Sequence, residues 1–237
     1  MKFNVEKCKV VHYGKRSIDV EYSFYGQPLE EVVSEKDLGV VFSNDLKVRR
    51  QCEEAYSKAS QMLGLINRTI QFKNPEVLLP LYKSVVRPHL EYCSAVWSPQ
   101  YVKDKALLEK VQHRFSRMFP ELKSLPYEQR LDKLGLWTLE ERRNRADLLE
   151  VFKLIKGFTA VSWTRFFTRI DNGTTRGHNW KLMKKHNCCD LRHHFFSQRV
   201  VNRWNSLSQE EVNASSVNSF KNHLERRRRR KMDFFMD

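Results

Sequence analysis

At Asp45 the spacing of apolar residues changes from two to about 3.6, and this change constrains the fold more than any other feature of the chain. Before it, short runs read as strands. Lys9-Val10-Val11-His12-Tyr13 ends at Gly14, and a second extended run covers Ile18 to Tyr25, with Val20, Tyr22 and Phe24 alternating. Gly26-Gln27-Pro28 is turn chemistry, and Leu38 to Phe42 is a third run closed by Ser43-Asn44-Asp45. Three short strands cannot bury a core alone, so they must pack against something larger. After Asp45 the helical period takes over. Cys52, Ala55, Ala59, Met62, Ile66 and Ile70 define one long amphipathic helix, and Leu78, Leu81 and Val85 a second one after Asn74-Pro75. Pro88 should kink it, with a short continuation from Leu90 to Trp97. Leu107, Leu108, Val111, Phe115 and Met118 mark a third helix, and Tyr127, Leu131 and Leu134 a fourth. Thr138 and Glu141 make a capping box for a helix running to Gly157. Residues 158–194 are less regular, with a turn at Asp171-Asn172-Gly173. Phe196, Val200, Trp204 and Leu207, then Val217, Phe220 and Leu224 behind Ser215 or Ser216, give a final helical pair.

The expected fold class is therefore α+β, mainly α: a small antiparallel β element, a helical bundle, and a basic C-terminal helical region. The expected divisions are residues 1–45, 46–157, 158–225 and a basic, disordered tail at 226–237. A chain of 237 residues with 41% apolar side chains can bury a core, so wholesale disorder is excluded. No apolar run reaches the length of a membrane span and no signal peptide opens the chain, so no membrane contact is expected. Five cysteines at irregular spacing, Cys8, Cys52, Cys93, Cys188 and Cys189, argue against a disulfide framework. An intracellular location, nuclear or cytoplasmic, follows as the expectation.

The net charge of +15 favours a polyanionic partner, and it is unevenly placed. Residues 1–157 carry +6, and residues 158–237 carry +9 in half the length. Arg226 to Lys231 is an unbroken basic run that can bind phosphates, act as a nuclear import signal, or remain a solvated tail. Lys110, Arg114 and Arg117 share one face of the third helix, opposite Val111 and Phe115. Such a line suits a phosphate backbone, and it also suits a helix that simply faces water. Arg142, Arg143 and Arg145 are odder, because cations near a helix start oppose its dipole. Glu141–Arg145 and Arg143–Asp147 pairs would soften that cost. For metals, His186, Cys188, Cys189, His193 and His194 crowd together but lack two separated ligand arms, so no metal is expected. Gly-rich phosphate loops, nucleophile elbows and adjacent aspartates are all missing, so no catalytic residue is assigned.

Several ordered segments carry a family resemblance. They are Phe3-Asn4-Val5-Glu6-Lys7-Cys8-Lys9, Lys36-Asp37-Leu38-Gly39-Val40, Leu81 to Tyr92, Val96-Trp97-Ser98-Pro99 and Leu108 to Arg114. Further on come Leu139 to Arg143, Thr175-Arg176-Gly177-His178, Phe195 to Asn205 and Ser219-Phe220-Lys221. In this order they resemble the C-terminal part of reverse transcriptases from non-LTR (LINE-type, jockey-like) retrotransposons. The resemblance implies that Asn4-x-x-Lys7 is a palm motif whose lysine lies near the incoming nucleotide. It implies that Leu38 and Gly39 form a primer-grip-like turn, and that the helices after Asp45 are a thumb holding template and primer. Lys110, Arg114, Arg117, Arg142, Arg143, Arg145, Arg199, Arg203, Arg226, Arg227 and Arg228 become the candidate contacts to RNA or an RNA–DNA duplex. The family polymerase holds Mg2+ with an aromatic-x-Asp-Asp hairpin and an earlier aspartate, which would precede Met1. The resemblance therefore implies a truncated, catalytically inactive fragment that uses no cofactor of its own. Two alternatives stand beside it: a subunit completing a polymerase core in trans, and an inert relic of the element.

Overall fold

The computed structural model describes residues 3–14, 20–170 and 177–236. The start of the extended run at Ile18, the turn at Asp171-Asn172-Gly173, and Thr175-Arg176 lie outside the described residues. The described part is α+β and mainly α. Three two-stranded ladders come first. β1 (Lys9–Val10) pairs in parallel with β4 (Glu30–Glu31), while β2 (Ser23–Phe24) and β3 (Gln27–Pro28) form an antiparallel hairpin. β5 (Ser34–Asp37) and β6 (Val40–Ser43) form the longest hairpin, with Asp37 opposite Val40. The β element thus differs from the expected one in two ways. One ladder is parallel, and Leu38 lies in a turn rather than in a strand. Both hairpin loops, Tyr25-Gly26 and Leu38-Gly39, hold positive φ at both positions, the backbone that lets two residues connect twisted strands.

The helices follow the apolar spacing closely. α1 (Arg49–Thr69) buries Cys52, Ala55, Ala59, Leu63 and Ile66 along one stripe. α2 (Pro75–Leu81) starts where the Asn74 side chain accepts the Glu76 N–H, with Pro75 at a position whose N–H needs no partner. A π-helical turn over Tyr82–Val86 then leads into α3 (Arg87–Glu91). Pro88 has no N–H to offer the preceding turn, and the widened turn absorbs that loss. Cys93, at φ 53, breaks the chain before α4 (Ser94–Trp97), so the expected continuation from Leu90 is two short pieces. α5 (Val102–Ser116), α6 (Tyr127–Leu134) and α7 (Leu139–Ile155) match the expected helices, and the capping box of Thr138 and Glu141 is formed. Next come α8 (Asp190–His193), α9 (Phe196–Arg199), α10 (Val201–Asn205) and α11 (Gln209–Val212). α12 (Val217–Arg230) is capped by Ser216, and a 3-10 turn over Met232–Phe235 follows it.

Two hydrophobic cores result. The first gathers β6, α1, α2, α5 and α6 around residues such as Tyr82, Leu108 and Phe115. The second gathers Leu148, Val151, Phe152, Trp204, Phe220, Leu224 and Phe235. They meet within α7, where Leu139 belongs to the first and Leu148 to Ile155 to the second. α7 therefore contributes side chains to both cores. The tail is also corrected: Arg226 to Arg230 is the last part of α12, and Phe234 and Phe235 are buried in the second core. Burying two phenylalanines offsets the chain entropy of ordering a short basic segment. Among the described residues no helix is long and apolar enough to cross a membrane.

Candidate nucleic-acid interface

α5 presents the clearest charged surface. Leu108, Val111 and Phe115 are fully buried on its inner face, and the Phe115 ring stacks on Tyr82 with centroids 4.1 Å apart. That burial fixes the rotation of the helix and turns Lys110 and Arg114 outward, with Arg117 at its C-terminal cap. All three are exposed, and none has a side-chain hydrogen bond or ion pair among the described residues. Gln112 pins the same helix from within. It accepts the Tyr82 hydroxyl at 2.9 Å and donates to the Trp137 carbonyl at 3.0 Å.

Beside the stripe lie two side chains that helical spacing did not reveal, His113, which is half-buried, and Arg130, which is only 2% exposed and so adds no exposed charge. His113 stacks on Tyr127 with centroids 3.5 Å apart, and the Arg130 guanidinium lies over the same ring at 5.5 Å. Burial, followed by the charges of Arg130 and Arg117, holds the His113 imidazole below its ordinary value. At neutral pH this side chain is therefore an uncharged platform among cations. Arg130 sits on a different helix from the stripe, and only the α5–α6 packing joins them, which no one-helix pattern could show.

Seven other candidates turn inward. Arg142 forms an ion pair with Glu91, and its second guanidinium nitrogen donates at 2.9 Å. Arg143 is only 2% exposed, and burial pushes its pKa down. Arg145 lies over the Trp137 ring at 5.1 Å and Arg228 over the same ring at 4.7 Å. Arg199 grips Asp147 with two donors, at 2.7 and 3.0 Å, and donates to the Ala95 carbonyl at 2.8 Å. Arg203 donates to the Phe234 carbonyl at 3.1 Å. Arg227 pairs with Glu211, and Arg228 with Glu141 at 2.7 and 2.9 Å. A bidentate arginine–carboxylate pair uses the N–H fork a phosphate would need. Arg142, Arg199, Arg227 and Arg228 spend that fork on carboxylates of other helices, while Arg143 and Arg145 are buried or stacked without a carboxylate pair. The expected Glu141–Arg145 and Arg143–Asp147 pairs give way to longer-range ones: Glu141 takes Arg228, and Asp147 takes Arg199. Arg226 remains exposed, as do Arg229, Arg230 and Lys231.

The two palm-like features behave differently. Lys7 ends a 3-10 turn capped by Asn4, whose side chain accepts the Glu6 N–H at 3.0 Å, and the lysine is exposed. This local cap accounts for the asparagine without any nucleotide. Leu38 has φ 44 and is 85% exposed, an apolar side chain in strained backbone facing water. Its carbonyl accepts the Tyr92 hydroxyl at 3.0 Å, and the Tyr92 ring fills the space a Cβ on Gly39 would need. The turn is thereby fixed to the end of α3.

Among the described residues no three His, Cys, Asp or Glu side chains converge on one point, and His186, Cys188, Cys189, His193 and His194 are not gathered into a site. Comparison with family models, curated proteins and solved structures finds no match to this chain.

Proposed function

We propose that this chain is the end-of-palm, thumb and C-terminal part of a non-LTR retrotransposon reverse transcriptase, and that it holds RNA or an RNA–DNA duplex without copying it. The reading rests on the ordered resemblance, and one observation carries it: Lys110, Arg114 and Arg117 stand exposed and unpaired on one face of a helix whose other face is locked in the core. Like charges so aligned repel one another, and a phosphate backbone removes that repulsion while releasing counterions. Arg226, Arg229 and Arg230 supply a second exposed cationic group. Nuclear import through Arg226 to Lys231 would need the end of α12 to unfold, because Arg227 and Arg228 are held by Glu211 and Glu141. Copying would need paired carboxylates to hold metal ions, and no two aspartates adjoin in the sequence.

Fluorescence anisotropy with an RNA–DNA duplex at several salt concentrations tests the reading. Affinity should fall steeply with salt, and replacing Lys110, Arg114 and Arg117 by alanine should lower the logarithmic salt slope by about 2 to 3. Binding that ignores salt, or a triple variant with the parent slope, would refute it.

A further inference from the structure

A cleft of about 520 Å³ has no carboxylate among its described lining residues. Its walls come from the α4–α5 connection, from α9 and α10, and from the chain after α12. Two of its basic residues are already neutralised from behind: Arg199 by Asp147 and Lys105 by Glu140. Asp190, beside the mouth, accepts from Gln100 at 3.1 Å and pairs with His194 at 3.4 Å. Arg203 also lines the recess and donates to the Phe234 carbonyl at 3.1 Å. The other two cations are Lys184 and Lys231, exposed lysines from segments far apart in sequence, with no side-chain partner among the described residues. His193 and Asn202 add exposed donors on the same lining.

We propose that this cleft binds a phosphate group carried by a ligand of mononucleotide size. Two ammonium groups in one recess, with no acid among the described residues of its wall, leave a positive field that a concave low-dielectric surface concentrates. An anion removes that repulsion and gains charge-assisted hydrogen bonds. The volume lies within the usual range for small-ligand sites, about 300 to 1,000 Å³, and too few apolar groups line the recess for a greasy ligand. Lysines suit this task as point charges, since they need no fixed fork geometry. The site lies apart from the α5 stripe, which lines no part of the cleft, so the two can fail independently.

Calorimetry on the full chain tests this with inorganic phosphate, adenosine monophosphate, and one short RNA carrying either a 5′-phosphate or a 5′-hydroxyl. Adenosine monophosphate and the phosphorylated RNA should bind. The double change Lys184→Ala and Lys231→Ala should weaken both by about tenfold or more, the loss expected when hydrogen bonds to a charged group go. Preference for the phosphorylated over the hydroxyl RNA identifies a strand end as the ligand, and equal binding of the free nucleotide identifies a mononucleotide; both support the site. The triple stripe variant should keep the nucleotide while losing the duplex. No binding of any phosphate probe at millimolar concentration, or a double variant that binds as the parent does, overturns the proposal. Should the double variant fail to fold, Lys184→Gln alone carries the same comparison, since Lys184 is exposed on an irregular segment.

Discussion

Phe235→Ala separates an anchored C-terminus from a free basic tail. Phe235 is fully buried, its ring centroid lies 5.1 Å from that of Trp137 and 4.8 Å from that of Phe234, and Asn144 donates to its carbonyl at 2.7 Å. Truncating a buried phenylalanine removes its transfer free energy and leaves a cavity, together about 3 to 5 kcal/mol. The backbone bond from Asn144 survives the change, so this loss is packing alone. For a protein of this size each kcal/mol lowers Tm by roughly 2 to 4 °C, so a fall of roughly 6 to 20 °C is expected. Circular dichroism melts of the variant, the parent and Arg229→Ala make the measurement. Arg229 is exposed, so its change should stay within about 0.5 kcal/mol. Urea unfolding should shift in midpoint without a change of slope. A Phe235→Ala melt that coincides with the parent would refute the docking of the C-terminal turn and restore the free tail.

Arg143→Met should leave duplex affinity within about twofold of the parent in anisotropy, because a side chain buried to 2% exposure cannot reach phosphate; a large loss would show that Arg143 does reach it. Leu38→Asn should raise stability by about 0.5 to 1 kcal/mol in urea, since asparagine tolerates positive φ in a two-residue hairpin and Leu38 buries little to lose; a lower midpoint would show that Leu38 packs on something. His178 is buried, with its Nε2–H donating to the Trp204 carbonyl at 3.1 Å and its Nδ1 accepting the Trp180 N–H at 3.1 Å. Burial holds its pKa below the ordinary 6.5, so the unfolded chain takes up the proton first as pH falls. Its contribution to stability is complete above that value and is lost as pH drops toward the folded pKa. An NMR titration in which the His178 imidazole charges above 6.5 would contradict the assignment.

The helices were legible because their apolar spacing is regular: α1 is read from Cys52, Ala55, Ala59 and Ile66, and α7 from its capping box. The strands were less so, because two-residue ladders such as β1–β4 depend on pairing partners that composition does not name. The outward stripe of α5 was legible for the same reason as the helix, since Val111 and Phe115 fix which way Lys110 and Arg114 point. The inward arginines were not. Arg199 meets Asp147 and Arg228 meets Glu141 across long stretches of chain, and a local pattern sees only the arginine. Lys184 was missed because it stands in an irregular segment, and its cleft exists only once Lys231 folds back toward it.

These pairings change what the net charge of +15 can do. The six cations from Arg226 to Lys231 suggest a flexible polycation, yet Arg227 and Arg228 hold α12 against α11 and α7 through Glu211 and Glu141. Glu141 also accepts the Thr138 N–H at 2.9 Å, so Arg228 bears on the residue that caps α7. Pulling these arginines out to meet phosphate would leave two largely buried carboxylates unpaired, which is costly. Polyanion binding as proposed would therefore fall to exposed cations that the fold does not pair, among them Lys110, Arg114 and Arg117 on α5, Arg226, Arg229 and Arg230 at the end of α12, and Lys184 and Lys231 in the cleft. Arg199, Arg227 and Arg228 are spent on Asp147, Glu211 and Glu141, so the salt dependence of such binding should reflect the exposed cations and not the total charge.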